Sequence, residues 1–267
     1  VNVPQVLLST TSVFPEASTS AFELSASLGY DGVELMVGVD SLSVDIDAIA
    51  KLADYHGVPV RSVHAPTLLV TQGTWGNDSW EKLRRSGEAV RQLGGDVVVV
   101  HPPFRWQRDY GKTFVDGIAT LNADFDDVKF CVENMYPWRT PAGNIQAYLP
   151  GWDPTDFAYE HLTLDLSHAS TSQRQSMDFV HAWGPRLAHV HLTDGKGSLK
   201  DEHLLPGEGD QSAWDVLAEI CSRGFEGHIV LEVSTRRARS RAEREDLLGE
   251  SLENIRRTMS AAVPEKG

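Results

Sequence analysis

One pattern repeats eight times along this chain. A short, apolar, β-branched run is followed by a stretch with a polar start and apolar residues at helical spacing. The extended runs fall at residues 3–9, 32–37, 60–64, 96–101, 129–133, 162–165, 187–191 and 228–233. The helical stretches fall at 19–28, 44–56, 79–93, 112–125, 155–159, 177–183, 213–222 and 241–259. Gly29, Gly57, Gly94 with Gly95, and Gly224 follow helical stretches, where a left-handed cap suits glycine. A strand that returns parallel to its predecessor needs a crossover, and a helix supplies it. Eight such units in 267 residues predict an α/β protein: a single (β/α)8 TIM barrel over residues 1–267, rather than an open doubly wound sheet.

Composition fits that reading. Hydrophobic residues make up 41%, enough for a large core. No apolar run approaches the roughly 18 residues that a membrane span requires. The chain enters its first strand almost at once, with no basic leader, so no signal peptide is expected. Cys131 and Cys221 make no disulfide framework, which suits a reducing cytoplasm. The net charge of −14 opposes long-range attraction to nucleic acid. The longest irregular stretch, 136–154, has the length of a lid or pocket wall.

The ionisable residues sit at particular places in the repeat. His64, His101, Glu133, Asp165, His191 and Glu232 end strands three to eight, and His168, Asp201 and His203 follow strands six and seven. Each lies where barrel active sites form, at the carboxyl ends of strands. Carboxylates are rare at buried strand ends unless paired or bound to metal. Asp201 and His203, two residues apart in a loop, can reach one cation. The mixed N and O set suits a borderline divalent metal, Zn2+ first, with Mn2+ or Mg2+ as the other candidates.

Other polar residues have plainer readings. His189 shares the barrel-facing side with His191 one layer deeper, as a hydrogen-bonded core histidine. His56, His161, His181 and His228 read as surface or capping groups. Cys131 reads as core packing. The segment Pro206-Gly207-Glu208-Gly209 is either a turn into helix seven or a close backbone approach to a ligand. Arg105, Arg108, Arg139, Lys196, Lys200, Arg236, Arg237, Arg239 and Arg241 fall in loops after strands four, five, seven and eight. Lys196, Arg236 and Arg237 are the candidates for holding an anionic substrate, because such barrels bind phosphate through the last two loops.

The strand-end set resembles that of the xylose isomerase-like TIM barrels, from strand two to strand eight. Glu133, Asp165, His191 and Glu232 match the four metal ligands of that superfamily's sugar isomerases and epimerases, in which two of the carboxylates also move protons. Adding His64, His101, His168, Asp201 and His203 matches the nine ligands of the endonuclease IV trinuclear zinc site. That resemblance implies one zinc on His64, His101 and Glu133, and a second on Glu133, Asp165, His191 and Glu232. The third would lie on His168, Asp201 and His203. Endonuclease IV places an aromatic residue where Thr67 stands. With the acidic balance, this favours a metal-dependent sugar or sugar-phosphate isomerase/epimerase acting on a small anionic sugar, with Glu133 and Glu232 as proton-transfer groups. The other readings are a zinc phosphodiesterase acting on abasic DNA or another phosphate ester, and a metal-binding barrel without catalysis. One to three ions per chain follow from these alternatives.

Overall fold

All eight extended runs pair in parallel in the computed structural model, which describes residues 4–71, 73–140 and 143–262. The strands are β1 (Gln5–Ser9), β2 (Gly32–Met36), β3 (Val60–His64), β4 (Val97–Val100), β5 (Lys129–Glu133), β6 (Leu162–Asp165), β7 (Leu187–His191) and β8 (His228–Leu231). Each pairs with its neighbours in sequence, and β1 pairs with β8, so the sheet closes into a barrel. Val3, where the first run was expected to begin, lies outside the described residues.

The surrounding helices are α1 (Ser18–Leu28), α2 (Ile46–His56), α3 (Ser79–Gln92), α4 (Arg108–Lys112), α5 (Phe114–Asp124), α6 (Leu166–Thr171), α7 (Ser176–Trp183), α8 (Ala213–Ser222) and α9 (Arg241–Ala262). Asp45 caps α2 by accepting from the Ala48 amide at 3.0 Å, and Gly57 ends it at φ 67°. The main core lies between the strands' outer faces and these helices, where Phe22, Ile49, Leu83, Ile118, Trp183, Leu217 and Ile255 are buried. Burying each such side chain contributes roughly 1.5–3 kcal/mol.

Two expectations need correction. The helical stretch at 112–125 divides at Thr113 into α4 and α5. Residues 155–159 form a turn, not a helix. The Arg186 guanidinium takes the Thr155 and Phe157 carbonyls at 2.9 and 3.0 Å, so they do not serve a helical ladder. The crossover from β5 to β6 instead carries a small antiparallel hairpin, Trp138–Thr140 with Gly143–Ile145. Arg139 fastens that hairpin to the Gly197 and Ser198 carbonyls at 3.0 and 3.2 Å. No described residue of 136–154 lines the main cavity, although the Tyr136 ring lies 5.1 Å from that of His168 and backs it.

The period of two on each strand decides what fills the barrel. Val97, Val99 and Cys131 form a small apolar layer inside. Above it the interior is polar. Glu34, Ser62, His189 and His191 are all 0% exposed. Barrel interiors of this kind are ordinarily packed with branched apolar side chains, so a buried polar layer has to be explained by what it touches.

Candidate metal centre

Strands β3 and β5 to β7 end on a site residue; His101, Asp201, His203 and Glu232 follow β4, β7 and β8 in loops, and His168 lies in α6 directly after β6. The structure brings all nine together. Four groups of side chains place one ligand atom from each member within 4.8 Å of the others. They are His64–His101–Glu133, Glu133–Asp165–His191–Glu232, Asp165–His168–His203, and a deeper one, Glu34–His189–His191. Glu133 belongs to two of them. Asp201 joins the third through His168 and His203, whose Nε2 atoms lie 3.1 and 2.8 Å from its Oδ2.

Local structure aims these groups. Asp165 is the N-cap of α6, and its Oδ1 accepts from the His168 amide at 2.7 Å. Its Oδ2 stays turned towards His191 Nδ1, 3.5 Å away. Because α6 starts directly on β6, His168 returns to the barrel mouth within one turn. A backbone carbonyl can only accept, so it fixes the tautomer of a ring that meets it. His64, His168 and His203 donate from Nδ1 to the carbonyls of Ala65, Asn134 and Glu232 at 3.2, 2.9 and 2.9 Å. Each then turns Nε2 inward, the arrangement by which outer partners orient metal-binding imidazoles.

The inward atoms are crowded in a way that a cation would relieve. His64 and His101 bring Nε2 to within 3.1 Å of each other, and His101 Nε2 lies 2.6 Å from Glu133 Oε2. His191 Nδ1 lies 2.9 Å from Glu133 Oε1 and 2.8 Å from Glu232 Oε2. Glu133 Oε2 and Asp165 Oδ2 are buried without a hydrogen bond. Orphaned carboxylate oxygens beside imidazole nitrogens fit a divalent ion with N and O ligands. Without one, protons take its place. Burial works to lower the pKa of His191, but Glu232, Glu34 and Glu133 outweigh it and hold it well above the ordinary value. His168 behaves alike: burial opposes, but Asp165 and Asp201 bring it to about 10. Asp201 likewise lifts His203 well above its usual value against burial. Burial tends to raise Glu133, yet His101 and His191 keep it well below the carboxylate range.

Protons and a cation therefore compete for the same nitrogens. Zn2+ uptake by metal-free protein near pH 7 is expected to release protons, because the raised imidazoles are charged there and must become neutral. Affinity should strengthen as pH rises. Calorimetry in buffers of different ionisation enthalpy checks this; a binding heat indifferent to buffer would place the ion elsewhere.

A cavity of about 740 Å3 opens onto this set. His64, His101, Glu133, His168, Asp201, His203 and Glu232 line it, while Asp165 and His191 lie beneath. Of the three basic candidates, Arg236 lines the cavity, its guanidinium 4.3 Å from the centre of the Phe14 ring. Lys196 and Arg237 are exposed and lie outside the cavity wall. Arg139 serves the hairpin, as described. The Pro206–Gly209 segment is a turn buttoned onto Asp194, whose carboxylate accepts from the Gly207 and Gln211 amides at 2.9 and 3.1 Å. A side chain at Gly209 would meet the Gly195 carbonyl at 2.1 Å, so the turn needs glycine there. Glu208 is exposed and is not among the residues that line the cavity.

The sequence reading missed Glu34. Its Oε2 accepts from His189 Nε2 and from the Ser62 hydroxyl, both at 2.7 Å. Its Oε1 lies 3.0 Å from His191 Nε2. His189 is thus the hydrogen-bonded core histidine expected, and burial pushes its pKa down to about 4. Glutamate inside an otherwise apolar β2 run, Gly-Val-Glu-Leu-Met, was the available signal. His228 also differs from expectation. It is buried in the barrel floor, pairs in register with His189, and reaches Asp96 Oδ1 at 2.8 Å.

A closed parallel barrel with carboxylates and imidazoles gathered at its carboxyl-terminal mouth carries them where the active sites of such barrels form. The chain belongs to the xylose isomerase-like TIM barrel family, whose model matches residues 22–258. It is 48% identical over 271 residues to an uncharacterized protein of Mycobacterium tuberculosis, covering 94% of this chain and 96% of that one. It is 34% identical over 241 residues to fructoselysine 3-epimerase of Escherichia coli O157:H7, covering 80% and 85%. Among solved structures it is similar to a D-tagatose 3-epimerase-like protein, at 25% identity and a TM-score of 0.66, covering 95% and 98%.

Proposed function

We propose that the protein is a divalent-metal-dependent sugar or sugar-phosphate isomerase or epimerase. One observation carries this reading: the carboxylates of Glu133 and Glu232 converge on a single atom, His191 Nδ1, at 2.9 and 2.8 Å, at the end of a cavity of small-molecule size. The relatives named as epimerases support it.

Glu133, Asp165, His191 and Glu232 would hold the ion, which when bound supplies Lewis acidity to a carbonyl and its neighbouring hydroxyl. The protein's own groups do the rest. Glu133 is held ionised by its imidazole neighbours, the state that accepts a proton, although the same neighbours weaken it as a base. It would take the proton from the carbon next to the carbonyl, which the carbonyl acidifies. In isomerisation Glu133 returns that proton to the adjacent carbon. In epimerisation Glu232 returns one to the other face of the same carbon, after taking a proton from solvent. Burial works to raise its pKa, but His191, His203 and His64 hold it below the ordinary value, and the proton is taken against them. Glu232 lines the cavity and takes the Thr11 hydroxyl at 3.3 Å, which fixes its second oxygen. Burial at this end of the cavity keeps bulk water from the reacting carbon.

A second reading keeps one specific support. The His168–Asp201–His203 and His64–His101–Glu133 groups, added to the first four residues, make up a nine-residue set that resembles the trinuclear zinc site of endonuclease IV. Against it, the chain carries a net charge of −14 and the cavity offers little positive charge to a duplex. Protein with metal restored separates the two. Solvent deuterium is expected to enter at least one sugar of a ketose and aldose panel, while an abasic duplex stays intact. Cleavage of the duplex with no exchange into any sugar would overturn the proposal.

A further inference from the structure

The cavity is larger than a free sugar needs, and its outer half differs in chemistry from its floor. The floor carries the carboxylates and imidazoles. The outer wall carries Phe14, Val39 and Val70, from the loops after β1, β2 and β3. They are 49%, 45% and 88% exposed. Single exposed apolar residues are commonplace, but three from separate loops facing one cavity make a lip that a polyol alone would leave wet. A volume of about 740 Å3 lies within the range that encloses drug-sized ligands.

Charge at the lip is selective too. Glu16 pairs with Arg244 and, at 3.2 Å, with Arg241. Asp40 accepts from the Ser18 amide and hydroxyl at 2.7 and 2.8 Å. Glu202 accepts from the Lys196 amide at 2.8 Å. Among the described residues no carboxylate pairs with Arg236, which the Phe14 ring holds in place. Only Glu16 is neutralised, by its two arginines, while Asp40 and Glu202 keep their charge on neutral donors. Arg236 is thus the one arginine or lysine on the described cavity wall and a single local contact for an anion.

Resting on the isomerase or epimerase reading, we infer that the substrate is a sugar conjugate. Its polyhydroxy carbonyl part sits at the Glu133–Glu232 end. Its apolar substituent lies along Phe14, Val39 and Val70 and carries a carboxylate or phosphate-type group against Arg236. Arg236 and the lip determine specificity and take no part in the chemistry.

The test is a binding measurement on metal-loaded protein, so it does not depend on turnover. The probes are fructose, 1-anilino-1-deoxyfructose, and the anilino compound bearing a para-carboxylate or a para-phosphonate. The neutral conjugate should bind severalfold tighter than fructose, and a charged conjugate at least about tenfold tighter again, the scale of one charge-assisted hydrogen bond. Arg236→Met should bring charged and neutral conjugates to within about twofold of each other. Val70→Ser should narrow the gap between the neutral conjugate and fructose. The tighter of the two charged probes names the anion. Equal affinity for all four, binding of none, or a charged advantage that survives Arg236→Met would each overturn the inference. The ordered affinities without hydrogen exchange would sustain it and sink the isomerase reading. Exchange into fructose with the same kcat/KM as into the conjugates would do the reverse.

Discussion

Glu133→Gln is expected to lower turnover of a responsive sugar by at least about 10²–10⁴-fold, the usual contribution of a positioned acid–base group. The amide keeps the shape and one oxygen but accepts no proton. Both oxygens of Glu133 lie against imidazole nitrogens: Oε1 is 2.9 Å from His191 Nδ1, and Oε2 is 2.6 Å from His101 Nε2. The substitution therefore also disturbs two of the candidate metal groups, and metal content has to be measured beside the rate. Solvent deuterium should no longer enter the sugar, even in preparations that retain metal. If such a preparation still exchanges hydrogen at near the wild-type rate, Glu133 is not the proton-transfer group. Under the phosphodiesterase alternative the same substitution would abolish duplex cleavage, and the unaltered protein would show no exchange to lose.

Glu34→Gln is expected to weaken Zn2+ binding about 10–100-fold, although Glu34 belongs to none of the nine candidate ligands. Its carboxylate is fully buried between His189 Nε2 at 2.7 Å and His191 Nε2 at 3.0 Å. An ion held at His191 Nδ1 draws electrons from the ring, and a negative partner at Nε2 favours that polarisation. The ionised state of Glu34 is itself secured locally: burial acts to raise its pKa, but His191 and His189 hold it well below the carboxylate range. Competition with a chromophoric chelator measures the affinity directly. An unchanged affinity would reduce Glu34 to a packing group, and thermal unfolding of the metal-free variant tells whether the barrel itself has been weakened. The comparison with Glu133→Gln is useful because Glu34 lies outside the cavity wall and has no access to substrate.

Much of the architecture is written in local chemistry. A period of two against a period of 3.6 can be read from neighbours in the chain, and glycines such as Gly29 and Gly57 mark helix ends with φ of 85° and 67°. The end of each strand is therefore legible, and the nine residues at or just past those ends are legible with it, since closure of the barrel carries all strand ends to one mouth. The short turn at 155–159 was not legible. Whether its carbonyls serve a helix depends on Arg186, which reaches them from the far side of β6 and α7.

The sequence by itself pointed to the barrel and the cluster at its mouth, because both follow from periodicity and from a count of eight units, which favours closure over an open sheet. Only the tertiary structure decided which charges are partnered. Glu34 meets His189 across 155 positions of chain, and Glu16 meets Arg244 across 228, so neither pairing leaves a local trace. The same holds for the basic loops. Lys196 and Arg237 read like Arg236 in the sequence, but only Arg236 turns into the cavity, where the Phe14 ring holds it. Electrostatic energy depends on distance through space and on burial, and both are properties of the folded arrangement rather than of the order of residues.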